Sequence, residues 1–526
     1  MRIKRVLKIT AIVVGVLVVV IGVGIYYFAW HFDWTGATDQ EDPFTSIYAE
    51  NCAVCHGDNM EGAAQGPALV GGPLAHGASI AALTHSIENG FPTTGMQGWA
   101  TTMDRAEIRR LAILIAEKRE HLESQVDFKV DKPFTVPTEP IETERHTFRL
   151  EVVATGIDPY PFSIAPLPNG RILVTEKRRG LSVIYPDGTQ SEPLAGAPET
   201  LAWGFKVDRL LYGFGWHLDV ALHPEYETNG WVYLHHTHPC RECRGEEDLL
   251  MKATHLVIDM EKSMNRLVRG RIKDGQWVDT EVIWSAPEEF YTLNPGLAAG
   301  GRIAFDPAGY VFLSVGTGGR GDDGIQDLGT PFGKIHRVHD DGAIPDDNPF
   351  LDVAGAQPSI WTYGHRVPQG LEFDPRSGKL WGSELGPRGG DEINLLRPGK
   401  NYGWPLYSKG LHYDGTPVEH WQEAGVAFED IEQPVVDLTP APAVSSFIIY
   451  DGGAFPEWQG DFLVGSLKAT ELYRVVIEDD RHVYTETLLT DLARIRDVEM
   501  GPDGLVYLLL ENGAGSQIVK IVPEGR

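Results

Sequence analysis

The chain of 526 residues carries 45 Lys and Arg against 74 Asp and Glu, a formal net charge of −29. A surplus of that sign excludes general nucleic-acid binding, which replaces phosphate counterions with positive charge. Hydrophobic content of 42% with 10% aromatics excludes a disordered chain, and the length calls for two or more folded units.

Arg2, Lys4, Arg5 and Lys8 precede an uncharged apolar run from Ile9 to Trp30. At helical rise the run covers about 33 Å, enough for a hydrocarbon core of about 30 Å. Tyr26, Tyr27, Phe28, Trp30 and Trp34 supply an aromatic belt at its exit. A cleaved signal peptide has a shorter apolar stretch and a small-x-small site, and no such site follows. Residues 1–34 are therefore expected to be a single-pass anchor in the cytoplasmic (inner) membrane, with everything beyond on the periplasmic side.

Cys52-Ala53-Val54-Cys55-His56 is the C-x-x-C-H spacing of c-type haem attachment: two thiols for thioether bonds and an adjacent imidazole for the iron. A zinc or thioredoxin-like site lacks a second Cys/His pair nearby. Downstream, Thr94-Gly95-Met96-Gln97-Gly98-Trp99 reads as a loop carrying a thioether, and a helical pattern follows through Leu111, Ile113 and Ile115. Residues 43–122 resemble a small, all-α class I cytochrome c domain. That resemblance implies haem c held by Cys52 and Cys55, with His56 and a loop methionine on the iron; Met96 matches better than Met103.

Residues 123–148 are rich in Pro, Thr and Glu, which predicts an extended, semi-rigid linker. Beyond it, six units repeat a Gly-containing turn followed by an aromatic–aliphatic strand. They are Pro168–Val174, Asn229–Leu234, Ala308–Leu313, Ser377–Trp381, Gln459–Val464 and Asp503–Leu508. At about 63 residues per unit, each has room for four strands and functional loops. Residues 149–526 are expected to form an all-β six-bladed β-propeller; an array of β-sandwiches is the alternative.

One block is specific: Thr362-Tyr363-Gly364-His365-Arg366-Val367-Pro368-Gln369-Gly370-Leu371, then Ser383–Pro387, Gly390–Asn394 and Asn401–Pro405. Together with Gly300–Phe305, Gly333–Arg337, Gly465–Lys468 and Arg494–Asp497, it resembles the glucose/sorbosone dehydrogenases, the pyrroloquinoline quinone (PQQ)-dependent aldose sugar dehydrogenases. The resemblance implies a cofactor with three carboxylates, for which Arg366, Lys468, Arg494 and Arg496 supply cations, with Arg302 and Arg320 in matching loops. It also implies Ca²⁺ on the carbonyls of Gly386 and Pro387, and a second calcium position at Glu392 and Tyr402.

Departures from the family pattern bear on the chemistry. The family's general base is a His four positions before the Gly-Gly-Arg arginine, and here that position is Ala298. The Gly-Leu-Leu-Gly region is rewritten as Phe214–Asp219, and two further family positions are Val367 and Thr317. Sugar oxidation needs a base for the hydroxyl proton. His217 is the substitute within reach of the cofactor side, or else a core histidine.

Gly316–Gly321 satisfies GxGxxG without the following helix of a dinucleotide fold, so it reads as a cofactor-side loop. In His235-His236-Thr237-His238-Pro239-Cys240-Arg241-Glu242-Cys243, Cys240 and Cys243 suit a disulfide; metal ligation and free thiols stay open.

The expected activity is a membrane-anchored quinohaemoprotein dehydrogenase that oxidises a sugar-like alcohol or hemiacetal and delivers electrons to haem. A downstream respiratory-chain acceptor would follow. A lactonase-like propeller hydrolase and a non-catalytic ligand-binding module are the alternatives.

Overall fold

The computed structural model describes residues 42–122, 130–200, 204–207, 210–213, 215–240, 243, 262–292, 298–318, 322 and 324–524. The anchor run, Phe214 and Arg320 lie outside these residues. Among the described residues no helix is long and apolar enough to cross a membrane.

The first module is helical: Pro43–Asn51, Ala53–His56, Ile80–Asn89 and Arg105–Arg119. Their starts are chemically marked. Asp42 accepts from Phe44 N ahead of a proline, Ser79 accepts from Ala82 N, and Asp104 with Glu107 forms a capping box. In the last helix every residue from Leu111 to Glu117 is buried. A helix buried on all sides is packed on all sides. One side meets Phe44, Tyr48 and Met60, and the other meets the second module.

That second module is a closed six-bladed propeller. Its six inner strands are Pro161–Pro166, His217–Leu222, Gly300–Phe305, Val367–Asp374, Val444–Ile449 and Arg494–Met500. Each packs against the next, and the last returns to the first. All neighbouring strands within a blade are antiparallel. Each of the six sequence units supplies the second strand of one blade, for example Ile172–Glu176 in the first and Val506–Glu511 in the sixth. The turn residues between inner and second strands are therefore what the repeat recorded.

Closure comes from far away in sequence. Thr147–Ile157 pairs with Ser516–Pro523 as the outer strand of the sixth blade, which removes a free edge. From Val130 onward the predicted linker is docked on the propeller. Gly513 N donates to Val130 O (2.7 Å) and Asn512 Nδ2 to Lys132 O (2.7 Å). Phe134, Val136 and Ile141 pack on the core of the last two blades. Apolar residues spaced along a Pro-rich segment are what convert it into a strap.

Candidate functional site

Antiparallel blades place the start of every inner strand and the end of every second strand at the same mouth of the central tunnel. The residues singled out from sequence gather there for that reason. Arg366 precedes one inner strand, Arg494 and His217 open two others, and Lys468 and Gly386 follow second strands.

On one side of this mouth three cations surround a single carboxylate. Lys177 Nζ lies 3.0 Å from Glu511 Oε1, while Arg494 Nε (3.0 Å) and Arg496 Nη2 (2.7 Å) reach Oε2. All four side chains are buried. Burial, with Arg496 and Arg494 adding repulsion against Glu511's attraction, pulls the Lys177 ammonium down to about 7. The same three cations hold Glu511 well below the usual carboxylate range despite its burial. Among the described residues these three cations share one carboxylate, an arrangement that suits a polyanionic cofactor. Lys177 and Glu511 were missed from sequence. The signal was there: Lys177 follows its blade's second strand just as Lys468 follows Phe462–Ser466.

Across the mouth, Arg366 Nη1 donates to Gly386 O (2.8 Å), and its guanidinium lies over the Trp404 ring at 5.1 Å. Asp391 anchors this loop, accepting from Gly386 N and Val444 N, each at 2.9 Å. Burial pushes Asp391 up to about 7, against the pull of Arg366 and Lys468, which places both cations near it.

Three expectations come out differently. Arg302 does not point at the mouth. It bolts the tunnel, with Nη1 on Asp497 (2.7 Å) and Asp219 (3.2 Å) and Nε on Gln369 O (2.7 Å). Its guanidinium is spent on the inner strands, so it is removed from the cofactor set. Tyr402 is committed to its own blade, its hydroxyl donating to Leu395 O (2.7 Å) and accepting from Arg397 N (2.8 Å). Glu392 accepts from Asn394 Nδ2 (2.9 Å), and burial with Glu384 nearby raises its pKa well above the ordinary value. Among the described residues no three His, Cys, Asp or Glu side chains converge to hold a metal. Calcium on Gly386 O would require Arg366 to withdraw, and Pro387 adds only a carbonyl beside it.

His217 is buried, and its Nε2 sits 2.9 Å from Pro198 O. A carbonyl only accepts, so Nε2 carries the proton. Nδ1 is left as a buried lone pair without a partner among the described residues. Burial lowers the pKa, which keeps the ring neutral. His236, its cross-strand partner, lies 6.4 Å away ring to ring. Asp219 belongs to the Arg302 bolt, and the register of its strand shifts between His217 and Val220. Ala298 and Thr317 lie together beside Arg366: Thr317 N donates to Arg366 O (3.1 Å), and Gly318 N to Ala298 O (3.1 Å). Cys240 and Cys243 are joined by a disulfide.

In the helical module Cys52 and Cys55 are unpaired and half-buried. His56 Nδ1 is 2.8 Å from Pro67 O, so it donates there, which leaves the Nε2 lone pair for an iron. Gly66 makes room: a Cβ would lie 2.7 Å from Cys55 O and 3.2 Å from His56 Cε1. This donor set fits a covalently attached haem. Met103 and Met60 are packed in the module's core, whereas Met96 is half-buried in a loop closed by Phe91 N donating to Met96 O (2.8 Å).

A tunnel mouth lined with cations, joined to a C-x-x-C-H helical module, defines a propeller dehydrogenase fused to a c-type cytochrome. Residues 158–520 match the Glucose / Sorbosone dehydrogenase family, and the chain belongs to it. Residues 39–115 match the cbb3-type cytochrome c oxidase subunit III family. Aldose sugar dehydrogenase YliI of Escherichia coli (strain K12) is 34% identical over 381 residues, covering 72% of this chain and 93% of that protein. The apo-form crystal structure of the soluble aldose sugar dehydrogenase from Escherichia coli aligns with a TM-score of 0.60 at 33% identity. It covers 72% of this chain and 100% of that one. The cbb3-type cytochrome c oxidase subunit CcoP of Azospirillum brasilense is 36% identical over 76 residues, 13% of this chain and 25% of that protein. The chain is thus an oxidoreductase with an electron-transfer module.

Proposed function

We propose that the propeller binds PQQ at the tunnel mouth, oxidises a sugar-like hemiacetal or alcohol, and delivers the electrons to haem c in the fused module. The observation that carries this is the cluster of cations around Glu511. Among the described residues, Lys177, Arg494 and Arg496 all reach the one carboxylate of Glu511. An apolar or uncharged ligand has no use for that arrangement, whereas a tricarboxylate completes it. Arg366 and Lys468 would hold the opposite end.

Bound there, the orthoquinone supplies an acceptor for the hydride of the sugar's C–H bond. The chain's part is to orient the sugar and take the hydroxyl proton. Nδ1 of His217 would be the base: among the described residues it makes no hydrogen bond, while Pro198 O holds the proton on Nε2. The apolar run Ile9–Trp30 would hold the chain to the membrane with both modules outside the cytoplasm. A disulfide and an attached haem suit that compartment.

The test is reconstitution with PQQ, followed by haem absorbance across a panel of sugars and alcohols. Sugar-driven haem reduction that requires PQQ is expected, and it should fall by at least about 100-fold in His217→Ala. Lactone hydrolysis without PQQ, with the haem left oxidised, would replace this reading with a hydrolase. PQQ binding without turnover would leave a binding module, consistent with alanine at position 298.

A further inference from the structure

We propose that Arg388 is a positioning residue that locks the haem module onto the cofactor side of the propeller. Electrons would then cross in this docked state rather than by excursions of a tethered domain. The inference rests on the functional reading above.

Arg388 belongs to the fourth blade, two residues beyond Gly386, yet its side chain is buried in the haem module. Nε and Nη2 lie 3.0 and 2.8 Å from the Glu117 carboxylate, Nη1 lies 2.8 Å from Asp42, and the guanidinium covers the Phe44 ring at 3.5 Å. The side chains of Arg388 and Glu117 are only 4% and 3% exposed. A buried ion pair of this kind contributes little net stability but tolerates only the register that satisfies it, because either charge left alone is costly. That makes it a specificity device.

The surrounding contacts reinforce one pose. Arg388 and Leu411 exchange backbone hydrogen bonds of 3.0 and 2.9 Å. Leu411, a propeller residue, is part of the haem-module core, against which Cys52 and Ala53 of the attachment motif pack. Arg109 Nε donates to Lys409 O and Arg110 Nε to Gly415 O, both at 2.9 Å.

Both propeller segments in this joint also touch Arg366. Gly386 O accepts from its Nη1, and the Tyr413 hydroxyl lies 3.5 Å from its Nη2. The side chain expected to hold the cofactor is therefore linked to the haem module by two short stretches of chain. They run from Gly386 to Arg388 and from Tyr413 to Gly415.

Oxidising one hemiacetal to a lactone releases two electrons and two protons. The haem iron takes one electron at a time. One turnover therefore needs two crossings of this joint. An external one-electron acceptor re-oxidises the iron after each, and the protons pass to solvent.

The test uses the full chain in four forms: wild type, Glu117→Gln, Arg110→Ala, and the exchange Glu117→Arg with Arg388→Glu. Three quantities are read. They are sugar-driven haem reduction by stopped flow, reduction of a small dye that takes electrons directly from the propeller, and the maximum dimension by X-ray scattering without cofactor or sugar. Glu117→Gln should slow haem reduction at least ten-fold, leave dye reduction within two-fold, and lengthen the particle. Arg110→Ala should slow haem reduction two- to three-fold, and the exchange should recover part of the Glu117→Gln loss. Haem reduction unchanged in Glu117→Gln overturns the proposal, as does an equal fall in haem and dye reduction. If Glu117→Gln does not fold, an unchanged rate in Arg110→Ala overturns it. If wild type reduces dye but no haem, the docked transfer route falls. If it reduces neither with PQQ and sugar, the functional reading falls, while a lengthened particle still supports the lock.

Discussion

Two buried charge clusters sit a few residues apart along the inner and second strands, and among the described residues they are built with opposite balance. At the tunnel mouth Lys177, Arg494 and Arg496 share Glu511. Within the tunnel one guanidinium, Arg302, serves Asp219 and Asp497, with Glu372 and Glu499 close by. The tunnel relieves its crowding with protons: burial pushes Asp219 up to about 6, and burial with Asp219 and Asp497 nearby pushes Glu372 up to about 8. The mouth can do so only in part: Lys177 gives up its proton near pH 7, whereas the two arginines keep theirs under ordinary conditions. A guanidinium with acidic partners on several blades holds the fold, whereas the mouth guanidiniums share one carboxylate among the described residues.

The largest effect that would break this contrast is on stability. Arg302→Met should cost about 3–5 kcal/mol in chemical denaturation, since it leaves Asp219 and Asp497 buried without their cation. A loss below about 1 kcal/mol would mean that the bolt carries no weight.

Arg494→Gln should do the reverse. Glu511 keeps two cations, so the melting temperature should stay nearly constant. PQQ binding should weaken about 10- to 100-fold, the worth of one charged hydrogen bond. Calorimetric titration checks both, and equal stability losses in the two variants would erase the distinction.

The smallest effect is in pH. Free Lys177 loses its proton as pH rises through about 7, and binding an anion must restore it. The dissociation constant should therefore rise above pH 7, by up to about ten-fold per unit, and be flat below. Lys177→Gln should show no such step. A step of the same size in that variant would assign the proton elsewhere.

Much of this was legible because it is local. The six turn–strand units needed only a glycine or proline turn and an apolar strand, and each became one blade's second strand. The haem motif is legible for the same reason, as Cys52, Cys55 and His56 lie within two helical turns. Arg302 was misread because its motif announces a cation near the cofactor but not the side of the strand it takes. Its partners Asp219 and Asp497 are 83 and 195 residues away. Nor does the sequence show that polar atoms of Glu392 and Tyr402 bond to neighbours at Asn394, Leu395 and Arg397. The strap at 130–146 reads as a free linker until Phe134 and Val136 are seen against the last blades.

By itself the sequence determined the elements: where turns fall, how many blades close, and which five residues carry the haem motif. Those are set by backbone preference and fixed spacing. The tertiary structure alone decided the partners: which arginines are neutralised, which strand closes the ring, and where the cytochrome is locked. Charge pairing and burial depend on distances between residues hundreds of positions apart, and no local pattern contains them.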